Sequence, residues 1–436
     1  MAEPTPEPTP PIEPARERPR VVVVGGGFGG LETVKALRRA PVDVVLLDRN
    51  NYHLFQPLLY QVASAALSPA DIAAPLRSVL HRQRNADVIL AEVTAIDLAS
   101  RVVHAGDRSL QYGFLVLAAG VVDDYFGHDA WERSAPGLKT LQSAIAIRSR
   151  VLLSFEAADI AGNPREQDEL MTFVIVGGGP TGVEMAGAIK ELAVDSIARD
   201  FRHIDTTRTR VILVEAGDRL LPGMHPDCSA RARRDLEGMG VEVVLGSPAS
   251  EIGPRRVRIG DRAVRSANII WAAGVKAVPL AHTLGIPLGR GGRVPVGRDL
   301  SITGHPEAFV IGDLAEAHCG RDGSLVPGVA PAAMQMGRFV GRLIGAETAA
   351  RVPSARKPFV YRDKGTMATI GRSKAVAQIG HWRFGGLLAW LLWSGVHIAF
   401  LIEFRNRLAV LFSWAYSYLL FKRGARLITN ERAEDG

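Results

Sequence analysis

The chain has 436 residues, 47% of them apolar, enough to bury the cores of two or three domains and too much for a small module held by disulfides. Cys228 and Cys319 are far apart and form no CxxC pair, so neither a disulfide scaffold nor a thiol relay is supported, and redox work falls to bound cofactors. The formal charge of +7 suits nucleic acid or an anionic membrane, and only its placement along the chain separates the two.

Residues 1–17 are rich in Pro and acidic side chains and contain no apolar run. They are expected to be disordered, and they lack the basic start and apolar stretch of a secretory signal. The folded part begins near Arg18 and is expected to stay in the cytoplasm.

Val21 to Val24 is a β-branched run of the kind covered on both faces of a parallel sheet. It leads into Gly25, Gly27 and Gly30, which fit GxGxxG, and then into a helical stretch from Leu31 to Ala40. The three glycines serve a tight turn, close approach of backbone to a pyrophosphate, and close packing of helix on strand. The phosphates belong at the helix N-terminus, where unpaired N–H groups point outward. A second strand, Val42 to Leu47, ends at Asp48, at the distance expected of a ribose-binding acid.

Phe173 to Val176 repeats the strand, and Gly177, Gly179 and Gly182 repeat the triplet within GGGPTGVEMAG. A later strand, Val211 to Val214, ends at Glu215. That spacing is longer than usual, so a ribose role for Glu215 requires an insertion near Arg199 to Arg208. A carboxylate there favours NAD over NADP, whose extra phosphate it repels, with Arg219 nearby to complicate the preference. Two such units point to one tightly held and one exchanging dinucleotide, FAD and NAD(P)H, because a flavin takes a hydride and passes electrons on.

Further strands end on small residues beside each unit, one at Gly120 and one at Gly274, and another runs from Phe309 to Ile311 and reaches Asp313. Gly120 and Asp313 join the flavin-binding candidates, with a turn or helix-cap role as the alternative for Asp313. His and Cys spacing supports no metal site.

The segment from Phe384 to Ile402 carries no formal charge and approaches the length of a membrane span. After Arg405 and Arg407 comes a shorter apolar stretch, Leu408 to Phe421, with Trp414, Tyr416 and Tyr418, followed by Lys422, Arg423 and Arg426. The expectation is a monotopic pair of helices with aromatics at headgroup depth and cations toward anionic lipid. A buried core helix or a dimer interface is the alternative. Cations beside two Trp-bearing apolar segments disfavour nucleic acid, as does the absence of any zinc-finger or RNP-like pattern.

With these motifs in place, the chain from about Arg20 to Thr429 resembles the type II NADH:quinone oxidoreductases, single-subunit NADH dehydrogenases that pump no protons. The resemblance lies in Asn51 to Ala63 after the first acid, in GGGPTGVE ending at Glu184, in VEAGDRLLP around Glu215, and in Lys364, Gly365, Met367, Ala368, Ile370 and Gly371. It implies FAD on Gly25, Gly27, Gly30, Asp48 and Asp313, and NADH on Gly177, Gly179, Gly182, Glu184 and Glu215. Glu184 would lie where nicotinamide meets flavin, steering the rings and influencing proton movement, with a first-turn helix acid as its plain alternative. The family's paired glutamines, AQxxxQ-like, here read Ala330, Pro331, Ala332, Ala333, Met334, Gln335. Gln335 therefore remains as the quinone-binding candidate, and Pro331 cannot donate a side-chain hydrogen bond.

The fold expected is α/β, with two Rossmann-like dinucleotide-binding domains and a C-terminal membrane-associated domain. FAD takes residues 18–165 and 290–350, NADH takes 166–289, and the membrane part is 356–436. The partners are a membrane quinone, an anionic lipid surface on the cytoplasmic face of the cell membrane, and a second copy of the chain. The rival readings are a sulfide:quinone oxidoreductase, a ferredoxin-type FAD reductase, and a redox-sensing membrane scaffold without turnover.

Overall fold

The computed structural model describes residues 18–319, 323–350, 355–402, 404–420 and 425–428. The segment 1–17 and the tail residues Phe421, Lys422 and Arg423 lie outside the described residues, as does the side chain of Tyr418.

Arg20–Val24 forms a central strand because four successive valines, 0 to 4% exposed, are covered on both faces. It pairs in parallel with Asp43–Asp48 on one side and Phe114–Leu117 on the other. Ala86–Leu90, His305–Val310 and Ser301–Ile302 complete a six-stranded sheet, parallel except for the last strand. The helix after the glycines, Phe28–Ala36, stops short of the expected Ala40. Pro41 follows Ala40, and a residue before proline is pushed out of helical geometry, so the chain turns there through Ala40 N–H to Leu37 C=O.

A second, all-parallel sheet repeats the plan in the order Val241–Leu245, Arg210–Glu215, Thr172–Val176, Asn268–Trp271. Thr172–Val176 is buried throughout. Each sheet carries a three-stranded antiparallel appendage, Val93–Asp97 to Arg108–Gln111 and Ala249–Gly253 to Arg262–Arg265. Two short strands, Val121–Asp123 and Val275–Ala277, leave the two sheets at matching places and pair with each other. Beyond them Ala277, Ala281 and Leu284 are buried in the core of the first sheet, so the chain re-enters that layer ahead of residue 290.

The C-terminal part is a three-stranded antiparallel sheet, Thr366–Gly371, Lys374–Ile379 and Trp382–Gly385, followed by helices Leu387–Phe400 and Phe404–Leu420. It packs on the helix Pro180–Glu191 of the second sheet, where Gly187 lies so close to the Ile370 carbonyl that a Cβ would collide with it. Ala368, Ile370, Val376 and Trp393 share one core with Val183, Met185 and Ile189. Among the described residues no helix is long and apolar enough to cross a membrane. The two terminal helices instead leave apolar side chains outside, Leu388, Leu391 and Phe412 (67% exposed) among them, beside the hairpin residue Trp382 (73% exposed).

Two aromatic and cationic expectations in this tail are corrected. Trp414 is turned inward, its indole N–H donating to Gln61 Oε1 at 2.8 Å, because a partly buried N–H needs an acceptor that lipid tails do not offer. Arg426 is bonded to the Ser196 carbonyl and the Asp200 carboxylate instead of facing lipid.

Candidate functional site

The two glycine turns have the same construction. Gly25 and Gly177 adopt φ of +101° and +116°, left-handed values that side chains resist, and each lies against the backbone of the neighbouring strand end, Ala118 or Ala272. Gly30 and Gly182 let the helix sit on its own turn, since a Cβ at either would strike the carbonyl of Gly25 or Gly177. Gly27 and Gly179 face open space, which is where a phosphate can approach the backbone. In both helices the residue before the first turn offers no side-chain cap, so the opening amides are left to a ligand.

The two strand-end acids also match. Asp48 accepts the N–H of Gly26 at 2.6 Å and of Asn50 at 2.7 Å. Glu215 accepts the N–H of Gly178 at 2.5 Å and of Gly217 at 2.7 Å. Burial raises the Asp48 carboxyl, while those amide hydrogen bonds and Arg49 work against the shift. Arg219 is held by its own turn, donating to the Pro222 carbonyl at 2.8 Å.

One cavity of about 1660 Å³ runs along the first turn, larger than the roughly 300–1,000 Å³ that suits one drug-sized ligand. Gly25, Gly27, Asp48, Gly120 and Asp313 line it, and Gly30 packs behind the turn. Asp313 sits on the turn Gly312–Leu314, its carboxyl raised by burial against the opposing pull of Lys139 and Arg293. From the second glycine turn and its helix the lining residues are Pro180, Thr181 and Glu184, with Lys276 from the strand Val275–Ala277, while Gly177, Gly179, Gly182 and Glu215 stand outside the lining. The structure thus gathers the first set directly and brings the second to it through one helix.

Glu184 is 9% exposed. Its Oε1 accepts the Thr369 N–H at 3.3 Å, and the indole of Trp393 lies beside it. Burial pushes its carboxyl up to about 8, against the pull of Thr369 and Trp393. At neutral pH the group therefore keeps its proton.

Gln335 departs from expectation. It does not line the cavity. Its Nε2 donates to the Arg362 carbonyl at 2.9 Å and its Oε1 accepts the Arg362 N–H at 3.1 Å. The amide is thus turned onto the Arg362 backbone and away from the cavity. Pro331 and Met334, from the start of the helix Ala330–Ala349, reach the cavity instead.

Sequence reasoning gave no role to two histidines. His53 is buried with Nδ1 against the Gly26 carbonyl at 2.9 Å and its ring edge-on to Phe28, so it props the first glycine turn from behind. His397, on Leu387–Phe400, lines the cavity beside Val396 and Phe400 and stacks on Trp393 at 4.2 Å. Its Nδ1 meets the Trp393 carbonyl at 2.7 Å. A carbonyl only accepts, so Nδ1 carries the hydrogen and Nε2 is the acceptor. Burial lowers His397 to about 4. A lone histidine inside an uncharged apolar stretch was the available signal.

Comparison with known proteins follows this geometry. The pyridine nucleotide-disulphide oxidoreductase family matches residues 19–337, and the NDH2 C-terminal domain matches residues 364–423. The chain is 43% identical to the type II NADH:quinone oxidoreductase Ndh of Mycobacterium tuberculosis, over 98% of this chain and 94% of that one. The fold is shared with the structure of NDH2 from Plasmodium falciparum in complex with NADH, with a TM-score of 0.87, 18% identity, and coverage of 93% and 99% of the two chains. A sulfide:quinone oxidoreductase from Aquifex aeolicus is less similar, with a TM-score of 0.72, 16% identity, and coverage of 93% and 96%. Cys228 and Cys319 are both buried here and neither lines the cavity. From its two family matches and its Mycobacterium tuberculosis relative, the chain belongs to the type II NADH:quinone oxidoreductases, which oxidise NADH and pass the electrons toward a quinone.

Proposed function

We propose that the large cavity holds FAD along the first glycine turn, receives the nicotinamide of NADH from the second, and takes the quinone from the side of the C-terminal helices. The observation that carries this reading is the placement of Glu184, which rides on the helix of the second turn and lines the cavity of the first. One side chain thereby joins the two cradles.

The residues present fit FAD. Gly27 leaves room for the pyrophosphate, the uncapped helix start supplies amides, Asp48 stands at the ribose position, and Gly120 and Asp313 line the cavity further along. When bound, FAD accepts a hydride and releases electrons singly or in pairs. Gly177, Gly179, Gly182 and Glu215 hold the NADH, and the fixed charge of Glu215 disfavours the extra phosphate of NADPH. The protein's task is to fix the approach of the reacting rings and keep water out.

At the quinone end the lining residues Lys364, Glu184 and His397 replace the glutamine pair. The Lys364 ammonium and the protonated Glu184 can donate to a quinone oxygen, and His397 Nε2 can accept from the hydroxyl of the quinol. The exposed leucines, Phe412 and Trp382 form a foot that lies in the membrane interface, with the nucleotide layers on the cytoplasmic side. A quinone then enters from lipid while charged NADH enters from water.

The test is anaerobic. NADH should bleach the flavin of the purified holoenzyme, and a short-chain quinone should restore its colour. A reduced spectrum that persists after quinone addition overturns the quinone site.

A further inference from the structure

The two nucleotide units agree in their glycine turns, in their strand-end acids and in the small residues that close the neighbouring strand, Ala118 to Gly120 in the first and Ala272 to Gly274 in the second. They part at the last of these. Gly120 and Gly274 make the same left-handed turn, with φ of +73° and +71°. A Cβ at Gly120 would meet nothing within 4 Å, and Gly120 lines the large cavity. A Cβ at Gly274 would strike the tip of the Phe126 ring. In the first unit that space is left for a dinucleotide, and in the second an aromatic ring fills it.

Phe126 sits on the loop that follows the strand Val121–Asp123. The base of this loop is fixed. The Asp124 N–H donates to the Gly274 carbonyl at 3.3 Å, and the Asp124 carbonyl accepts the Trp271 indole N–H at 3.0 Å. Tyr125 is buried, its hydroxyl donating to the Ala135 carbonyl at 3.0 Å and its ring stacked on Trp271 at 5.1 Å. Phe126 is held differently. It is 62% exposed, and its φ of +52° is a left-handed value that a side chain makes costly. Beyond Gly274 its ring meets the edge of Trp271, with centroids 6.1 Å apart. Gly127 follows at φ +88°, with open space where a side chain would be. Asp129 then reaches back to Lys276 of the second unit at 3.0 Å, so the loop straddles the gap between the two cradles. A mostly exposed ring on a strained residue is cheap to lift, while the base beneath it stays in place.

We infer that Phe126 plugs the nicotinamide cradle: its ring holds the space over Gly274 that NADH must take, and the incoming nucleotide lifts it. The plug rests on the reading that the second glycine turn binds NADH. A cradle that stands open for part of the time binds with an affinity reduced by the open fraction. That cost falls on NADH and NAD⁺ and spares FAD, because Phe126 stands outside the lining of the large cavity. The contrast between the two glycines then accounts for one dinucleotide that stays and one that exchanges. Nothing has to be displaced over Gly120, whereas over Gly274 each arrival works against the ring and each departure of NAD⁺ is helped by its return.

Calorimetric titration of the oxidised holoenzyme with NAD⁺ tests the plug without turnover. In Phe126→Ala the Kd for NAD⁺ should fall roughly threefold or more, with the flavin content of wild type, and Phe126→Leu, which keeps part of the bulk, should fall between the two. Removing a ring that merely propped the cradle would instead raise the Kd. A second readout keeps the ring in place: 3-fluorophenylalanine introduced at position 126 should shift its fluorine resonance when NAD⁺ is added, as the ring leaves Trp271, and hold it when a short-chain quinone is added. An unchanged or raised Kd in Phe126→Ala, or a resonance that ignores saturating NAD⁺, overturns the plug. Glu215→Ala keeps that failure apart from failure of the cradle. If it alone weakens NAD⁺, the second turn still binds the nucleotide and only the plug is lost; if neither variant alters NAD⁺ binding, the reading of the second turn falls together with the plug.

Discussion

Glu215 Oε2 accepts the amide hydrogen of Gly178 at 2.5 Å, so the acid at the end of the strand is tied to the glycine turn before any nucleotide arrives. Asp48 and Gly26 make the same contact at 2.6 Å in the first sheet. On the proposed NADH reading, a carboxylate held this way would stand against the extra phosphate of NADPH.

Replacing Glu215 by Ala should weaken NADH and relax the exclusion of NADPH. A charge-assisted hydrogen bond contributes about 1.5–3 kcal/mol, so the ratio of kcat/KM for NADH over NADPH should fall roughly tenfold or more. Initial rates with the two nucleotides at a saturating quinone check it, and an unchanged ratio removes Glu215 from the specificity set.

Two glycines of the first turn should fail differently when each is replaced by Val. A Cβ at Gly27 meets nothing within 4 Å, whereas one at Gly30 strikes the Gly25 carbonyl. Gly27→Val should therefore fold and be colourless, filling the space left for phosphate. Gly30→Val should be lost to aggregation. Flavin absorbance together with circular dichroism separates the two outcomes.

The proton on Glu184 has a consequence for stability. Its carboxyl is raised from 4.5 to about 8 by burial, so between those values the folded protein holds a proton that the unfolded chain has released. The stability it contributes is fully present below 4.5 and is lost as pH rises through about 8. Glu184→Gln should lose this slope, gaining Tm relative to wild type in alkaline buffer and not in acid. Thermal melts across pH test it, and parallel curves for the two proteins exclude a buried protonated Glu184.

His397 and Gln335 should exchange the importance that motif reading gives them. In His397→Ala the KM for quinone should rise several-fold while bleaching by NADH is unchanged, and added imidazole should recover part of the loss. In Gln335→Ala the KM for quinone should stay within about twofold, and the variant should lose about 1–3 kcal/mol of stability with its two bonds to Arg362. The opposite pattern would return Gln335 to the quinone site.

Membrane attachment should depend on the exposed leucines. Burying a leucine in an apolar environment contributes about 1.5–3 kcal/mol, so Leu388→Asp combined with Leu391→Asp should cut binding to anionic vesicles by roughly a hundredfold or more. Activity with a short-chain quinone in solution should survive. Vesicle co-sedimentation provides the measurement, and undiminished binding would put the foot elsewhere.

The glycine turns and their acids were legible because each depends on local backbone chemistry: only glycine accepts the φ of Gly25 and Gly177, and the valine run before the first turn can only be a strand covered on both faces. Glu184 was legible as an acid on the helix of the second glycine turn, but the first-turn reading is corrected, since it is the fifth helical residue, and its burial was not legible because it comes from Thr369 and Trp393 far along the chain. The same limit hid the fate of Gln335. Its spacing from Ala330 matched a motif, yet its partner Arg362 comes from a segment with no periodic signal. Trp414 and Arg426 read as interfacial from composition alone, while Gln61 and Asp200, which hold them inward, are distant in sequence. Long-range partners decide side-chain direction, and pattern reading reaches only neighbours.

The near-contact of Gly187 with the Ile370 carbonyl leaves no slack between the nicotinamide-side helix and the C-terminal sheet. If the exposed apolar side chains lie in lipid as proposed, this contact sets the Glu184 end of the cavity at one height above it. On that reading, discrimination among quinones of differing tail length would be a matter of a constant standoff, in the manner of a ruler with its zero mark set at the bilayer.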